Sequence, residues 1–455
     1  MTQRLVIGAG PDAVRAAAVL ATGGHRVLLL LDSPEPTGLR HAELPQSSGR
    51  MRTADEDREL AERILGPLVE APGIGRGLSR RGTRAWLPMR RRDVPALISP
   101  AHLPAVARAW LQARQGLRAQ ELVSGGREER SYRDWVVRRM GEATYEELYR
   151  PYATRRWGRD PEELSVAVAR VHHALPDDAP TQVAGGREQV ALDLAREAIE
   201  AAGGEIRTGA RVSGLSVQGG RVAAVRLADG QEIAVEGPLW VARAPATVVG
   251  WLDEELAAPL RQDAARLPSH DLRVTCLKGE VDGLPEELHV LDADAPFWCV
   301  VSPYGIKEYA LFLETVPAVD AAVGSAVGSA GAGAGADESD EAVAARVAEA
   351  AERLGIGTFS VEGARVERVR EHQPCWTAGA HARLHRLINR FQELGIVAVG
   401  RTGTFGELDP GQEIGLAAAY RDQDAPDQRE ALRCRVDPPF KVDDLHASIR
   451  HFLER

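Results

Sequence analysis

Apolar positions open the chain in two short runs, Leu5-Val6-Ile7 and Val27-Leu28-Leu29-Leu30-Leu31. Between them lie Gly8-Ala9-Gly10, an alanine-rich stretch (Ala13, Ala16, Ala17, Ala18, Leu20, Ala21) and Gly23-Gly24. Glycine-bounded apolar runs of this length predict buried strands, and the stretch between them predicts a helix, so the pattern reads β-turn-α-β. A glycine loop hands over to an alanine-rich helix again near the other end. There Gly395-Ile396-Val397-Ala398-Val399 leads into Gly400-Arg401-Thr402-Gly403 and then Gln412-Glu413-Ile414-Gly415-Leu416-Ala417-Ala418-Ala419.

Between these ends the pattern changes character. Tyr132 to Tyr149 repeats apolar residues at helical spacing, and a helix from Arg187 to Ala202 stops at Gly203-Gly204. Short strands are predicted at Glu205–Thr208, Arg211–Val217, Arg221–Leu227 and Gly237–Ala242, with a hairpin turn at Asp229-Gly230. A separate sheet is predicted from Leu272–Leu277, Trp298–Ser302 and Tyr309–Glu314. Further helices are expected at 53–70, 101–115 and 341–354. Residues 318–340, Ala/Gly/Ser with an acidic end, bury too little apolar area to offset their ordering entropy and are expected to form a mobile loop.

A chain of 455 residues predicts about two domains. A net charge of −10 argues against a nucleic-acid partner. Cys276, Cys299, Cys375 and Cys434 lack metal-type spacing, so neither a metal site nor a disulfide framework is expected. The N-terminus lacks a secretory pattern and no long apolar run is present, which predicts a cytoplasmic protein without a membrane span.

The first crossing carries chemistry. Gly8 allows a tight turn, Gly10 lets backbone approach a pyrophosphate, and Ala13 stands where a third glycine lets helix pack on strand. The helix N-terminus offers N–H groups to phosphates, and Asp32, at the end of the second strand, is placed for a ribose hydroxyl. Two residues run against this. Asp12 puts a negative charge beside the turn, and Leu31 takes the place expected for the acid, a one-residue slip that reverses the face of a strand side chain.

Four stretches in order resemble the FAD-dependent amine oxidase superfamily, within it the protoporphyrinogen-oxidase-like and UDP-galactopyranose-mutase-like flavoproteins. They are the Gly8/Gly10 turn; Pro151-Tyr152 through Trp157-Gly158 and Pro161 to Leu164-Ser165; Gly203 to Asp229-Gly230; and Gly400-Arg401 through Gly415. The resemblance implies an α/β fold, a Rossmann-like three-layer FAD/NAD(P)-binding domain with an α+β substrate domain. Residues 1–75, 181–270 and 390–425 would form the former, 76–180 and 271–389 the latter, and 426–455 a C-terminal appendage. It further implies FAD as cofactor, with Gly8, Gly10, Ala13, Asp32, Gly38 and Arg40 near its diphosphate and ribose, and Val212 beside the adenine. Gly400 and Arg401 would lie on the diphosphate side, and the helix start at Gln412, Glu413 and Ile414 at the pyrimidine end of the flavin. The sequence departs from the family at Gly38-Leu39-Arg40, where the family has Gly-Gly-Arg, and at His41–Gln46, where it has small residues and Asp-x-Gly.

Hydride transfer to a flavin needs positioning more than side-chain acids, so no catalytic residue is assigned. Arg150, Arg155 and Arg156, beside Tyr152 and Trp157, are candidates to grip a carboxylate or phosphate of a small-molecule substrate by bidentate pairing, with Trp376 as an aromatic near the flavin face. The leading expectation is an FAD-dependent oxidoreductase acting on a C–N or C–C bond of a small molecule, with the C-terminal tail as an element for self-association. The alternatives are a mutase-like flavin isomerase and a degenerate member that has lost FAD and serves as a scaffold or binding module. Asp12, Leu31 and Leu39 falling together at the phosphate side support the last.

Overall fold

The computed structural model describes residues 3–32, 96–97, 129–140, 142, 145–173, 187–279, 287–290, 294–301, 308–316, 338–406 and 410–421. Gly38, Leu39 and Arg40, the helices expected at 53–70 and 101–115, most of the 318–340 stretch and the tail from 426 lie outside the described residues. In chain order the strands are β1 (Gln3–Gly8), β2 (Arg26–Leu31), β3 (Ala96–Leu97), β4 (Glu205–Thr208), β5 (Val212–Gln218), β6 (Arg221–Leu227) and β7 (Glu232–Ala234). They continue with β8 (Leu239–Ala242), β9 (Ser269–Gly279), β10 (Glu287–Val290), β11 (Cys299–Val301), β12 (Tyr309–Val316), β13 (Phe359–Pro374) and β14 (Ile396–Ala398). The helices are α1 (Pro11–Thr22), α2 (Tyr132–Met140), α3 (Arg150–Trp157), α4 (Val166–His173), α5 (Arg187–Ala201) and α6 (Pro245–Gly250). After them come α7 (Glu254–Ala265), α8 (Asp340–Arg353), α9 (Ala380–Glu393), α10 (Gly400–Gly403) and α11 (Pro410–Arg421).

The described residues of 1–80, 180–268 and 379–455 form one compact unit, and those of 81–179 and 269–378 form a second. In the first, a parallel sheet has the order β14-β8-β1-β2-β4. Its apolar strands read as continuous runs because both faces are covered. Val6, Val27, Leu29, Leu31, Trp240, Ala242 and Val397 turn one face into a core shared with α1, α5 and α11. Val6 and Leu29 are wholly buried, each contributing about 1.5–3 kcal/mol. The alanines of α1 bring helix and strand so close that a Cβ at Gly8 would lie 2.2 Å from Ala13 Cβ and 3.3 Å from Ala242 Cβ. Gly8→Ala is therefore expected to cost about 3 kcal/mol in urea unfolding. Gly8→Ala combined with Ala13→Gly recovers part of that loss through a coupling between the two sites, whereas purely additive effects would refute the contact.

The antiparallel sheet β5-β6-β7 belongs to the same unit and follows the predicted hairpin. Gly230 has φ +88°, and the N–H of Gln231 donates to Asp229 Oδ1 at 2.9 Å, so the Asp-Gly pair closes the turn with its own side chain.

The second unit is a six-stranded sheet, β13-β9-β12-β11-β10-β3, antiparallel except for the β10–β3 pair. Ala310 and Phe312 of β12 join Val343, Ala344, Val347 and Ala351 of α8 in one core. Alternation sends Thr315 the other way, where its hydroxyl donates to the carbonyl of Arg156 on α3 at 2.7 Å. Helices thus cover both faces of this sheet. Ser339 caps α8 by accepting from the N–H of Ala342, with Asp340 and Glu341 in the first turn.

Several elements were not expected, among them α6, α7, α9 and β7, and two more differ instructively. The helix expected across Tyr132–Tyr149 ends at Met140, and a π-helical turn at Tyr145–Tyr149 leads into α3. Pro151 has no N–H to give to a carbonyl one turn back, so it sits at the start of a new helix. The second is β13, for which no strand was expected. Its alternation is carried largely by charged residues and is broken by register shifts at Ser360/Arg365 and Val369/Gln373.

Candidate functional site

β1 and β14 deliver the two glycine crossings to the same edge of the parallel sheet, separated in the strand order by β8 alone. α1 starts after Gly10, and α10 starts after Val399, whose N–H donates to the carbonyl of Val241 on β8 at 3.0 Å. Gly403 lets α10 lie on β8, since a Cβ there would stand 2.3 Å from the Val241 carbonyl oxygen. The turns therefore meet. A Cβ at Gly400 would lie 2.6 Å from Asp12 Cβ, and Gly400 itself has φ +68°.

Asp12 fills the space between them. Its Oδ1 accepts from the Ala13 N–H at 2.9 Å and its Oδ2 from the Thr402 N–H at 3.2 Å, with the residue only 7% exposed. A negative group in the first turn of α1 is favoured by the helix dipole. Behind it lies a buried ion pair. Arg15 Nε donates to Glu413 Oε2 at 2.6 Å, while Glu413 Oε1 accepts from the Arg401 N–H at 3.2 Å. Burial, reinforced by the neighbouring Asp12, pushes the Glu413 carboxyl up to about 7 against the opposing pull of Arg15 and Arg401.

The remaining predicted cofactor positions fall as follows. Asp32 donates its N–H to the Gly8 carbonyl at 3.0 Å, and its Oδ2 accepts from Arg243 Nη1 at 2.8 Å, a partner at the end of β8. Leu31 turns into the α1 core, as its alternation with Leu29 requires. Val212 opens β5 opposite Leu227, and Ile414 is buried in the core beneath α11. Gln412 lies in the first turn of α11. Gly10 caps α1 in extended backbone, and a Cβ there would meet Asp12 Oδ1 at an ordinary 3.6 Å. Packing therefore gives no reason for glycine at this position.

Of the substrate candidates of the second unit, Tyr152 and Trp157 lie in a buried polar-aromatic cluster, and Arg150 is partly exposed. Tyr152, Trp157 and Trp376 are buried; Arg155 Nη2 donates to the Val290 carbonyl at 2.9 Å, and Arg150 pairs with Glu146 at 2.9 Å and Asp160 at 3.4 Å. The centre of the cluster is Arg156, expected with Arg150 and Arg155 as a candidate to grip substrate but buried here against aromatic rings. Its guanidinium carbon lies 4.8 Å from the Trp157 ring centre and 4.9 Å from that of Trp298, and Nη1 donates to the Tyr152 hydroxyl at 2.8 Å. The Tyr152 hydroxyl is also hydrogen-bonded to His289 Nδ1, 2.6 Å away. The signal available in sequence was the Tyr152/Arg156 spacing of one helical turn.

Among the described residues no group of three or more His, Cys, Asp or Glu is placed to hold a metal, and no helix is long and apolar enough to cross a membrane. Cys276, Cys299 and Cys375 form no disulfide among the described residues.

A parallel sheet with a glycine turn leading into a helix at its edge, joined to a second α/β unit, defines a dinucleotide-binding class of fold. In particular, the chain shares its fold with solved structures of three proteins. The chain is similar to reduced UDP-galactopyranose mutase, with 12% identity over 99% of both chains and a TM-score of 0.65. It is also similar to a putative protoporphyrinogen oxidase from Exiguobacterium sp. 255-15, with 15% identity over 92% of this chain and 98% of the other, TM-score 0.62. A CLA-producing fatty acid isomerase from P. acnes matches at 13% identity over 91% and 96%, TM-score 0.53. No known family profile and no curated protein sequence matches the chain. Isomerase and oxidase sharing one fold means that the reaction has to be argued from the site.

A diphosphate at this site needs donors at the start of α1 and room for its negative charge. Here Asp12 takes the N–H groups of Ala13 and Thr402, and a second buried acid, Glu413, which feels the charge of Asp12, is paired with Arg15. A phosphate charge about 4 Å from the Asp12 carboxylate would be opposed by about 4 kcal/mol at an effective dielectric of about 20. The residues present do not fit an FAD diphosphate.

Proposed function

We infer that this chain keeps the flavoenzyme fold without using a flavin and serves as a binding or scaffold module rather than as an oxidoreductase. The observation that carries this reading is the Asp12 carboxylate, hydrogen-bonded to both glycine crossings where a diphosphate would lie. The pairing of Asp32 with Arg243 supports it, because the carboxylate placed for a ribose hydroxyl already accepts from a guanidinium.

A second reading, an FAD-dependent oxidoreductase acting on a small molecule, is favoured by Gly10. That position is glycine although neither its backbone nor its packing asks for one, as expected where a cofactor approaches the main chain.

Visible absorption of the purified chain separates the two. The expected result is a colourless protein that takes up no flavin after incubation with excess FAD and gel filtration. A yellow protein with stoichiometric FAD would overturn the flavin-free reading. Turnover with an electron acceptor would then mark an oxidoreductase, and activity only after dithionite reduction, without net consumption of acceptor, a mutase-like isomerase.

A further inference from the structure

The crossings at Gly10 and Gly400 are tied together by one side chain. Asp12 reaches from the first turn of α1 to the Thr402 N–H of α10 at 3.2 Å while its other oxygen holds the Ala13 N–H at 2.9 Å. The opposite wall is shaped to the acid. A Cβ at Gly400 would stand 2.6 Å from Asp12 Cβ and 2.7 Å from Asp12 Oδ2, so any side chain at 400 would displace the carboxylate. The glycine of the second crossing thus serves the protein's own acid.

A carboxylate and a phosphate group share the properties this seat selects, a negative charge and oxygens that accept backbone N–H groups. Its electrostatic neighbour Glu413, paired with Arg15 and held by the Arg401 N–H, is like Arg15 and Arg401 less than a tenth exposed, so the seat lies where charge is poorly screened and an anion has to be matched. Resting on the flavin-free reading above, we propose that Asp12 is a built-in anion standing in for a diphosphate, and that shortening this side chain exposes a seat for pyrophosphate-type ligands. The acid then acts as a structural replacement for a cofactor, joining two chain segments that a bound nucleotide would otherwise bridge.

Thermal unfolding of the full-length chain tests this, with inorganic pyrophosphate and ADP as probes and sodium sulfate at matched ionic strength as control. Wild type is expected to show no shift with either probe. Asp12→Ala is expected to melt lower than wild type and to recover in pyrophosphate or ADP with a saturable rise of roughly 5 °C. Asp12→Asn, which keeps the bulk of the acid without its charge, is expected to melt lower without that recovery. Should Asp12→Ala fail to fold, Asp12→Ser, also smaller than aspartate, carries the same expectation.

A folded Asp12→Ala or Asp12→Ser without a pyrophosphate- or ADP-dependent shift overturns the proposal. So does an equal rise in Asp12→Asn, or a sulfate rise of the same size in all variants. Failure of the underlying reading looks different, because the wild type itself would then bind FAD.

Discussion

Arg156→Ala is expected to unfold the second unit at a much lower temperature, with a loss of about 3–5 kcal/mol and a fall in Tm of roughly 10 °C. The side chain is 1% exposed and lies against two indoles and the Tyr152 ring, so the substitution removes three cation–π contacts and leaves a cavity. It also takes the donor from the Tyr152 hydroxyl, the middle member of the Arg156–Tyr152–His289 chain. Arg156→Lys should recover less than half of the loss, because an ammonium is compact and cannot lie flat against the rings. Differential scanning calorimetry with tryptophan fluorescence follows the change, and a melting temperature within about 2 °C of wild type would refute the role assigned to Arg156.

Arg15→Leu is expected to have the second large effect, about 3–5 kcal/mol at pH 8, because it strands the buried Glu413 carboxylate. The pH dependence has a definite sign. The Glu413 carboxyl titrates at about 7 in the fold, above the ordinary glutamate value of 4.5. Folded protein therefore binds this proton more tightly than unfolded protein does. The stability it contributes is fully present below pH ~4.5 and is lost as the pH rises through ~7, at no more than about 1.4 kcal/mol per pH unit. Arg15→Leu should accordingly cost less at pH 5, where the carboxyl carries its proton. Glu413→Gln should flatten the slope between pH 5 and 8. Urea unfolding across that range checks both, and a slope unchanged in Glu413→Gln would remove Glu413 as its source.

The first crossing was legible because everything that makes it is local: apolar runs, glycines at a fixed spacing and alanines small enough to seat a helix on a strand. Asp12 was legible as a charge out of place, but its partner at Thr402 lies 390 positions away. The same distance problem hid the pairing of Asp32 with Arg243, 211 positions apart, and of Arg15 with Glu413, 398 apart. Glu413 was read for the backbone donors of its helix, whereas the fold uses its side chain. Arg156 carried no sign of burial, because guanidiniums are usually exposed and the indole of Trp298 arrives from another strand. β13 escaped for a related reason: a strand at the end of a sheet needs little apolar alternation, and Glu367, Arg368 and Arg370 mask what there is.

That composition bears on how the protein behaves in a crowded solution. Among the described residues β13 ends the order of its sheet and runs for 16 residues, a length that would template pairing with a neighbouring molecule if it were flat and apolar. Instead it exposes Glu362, Arg365 and Arg368, breaks register twice and carries Glu371 at φ +51°. Each of these discourages a foreign strand from docking in register, so aggregation through this border is opposed by charge and by shape. Replacing its arginines with valine would make the strand easier to recognise in the sequence and the protein harder to keep in solution.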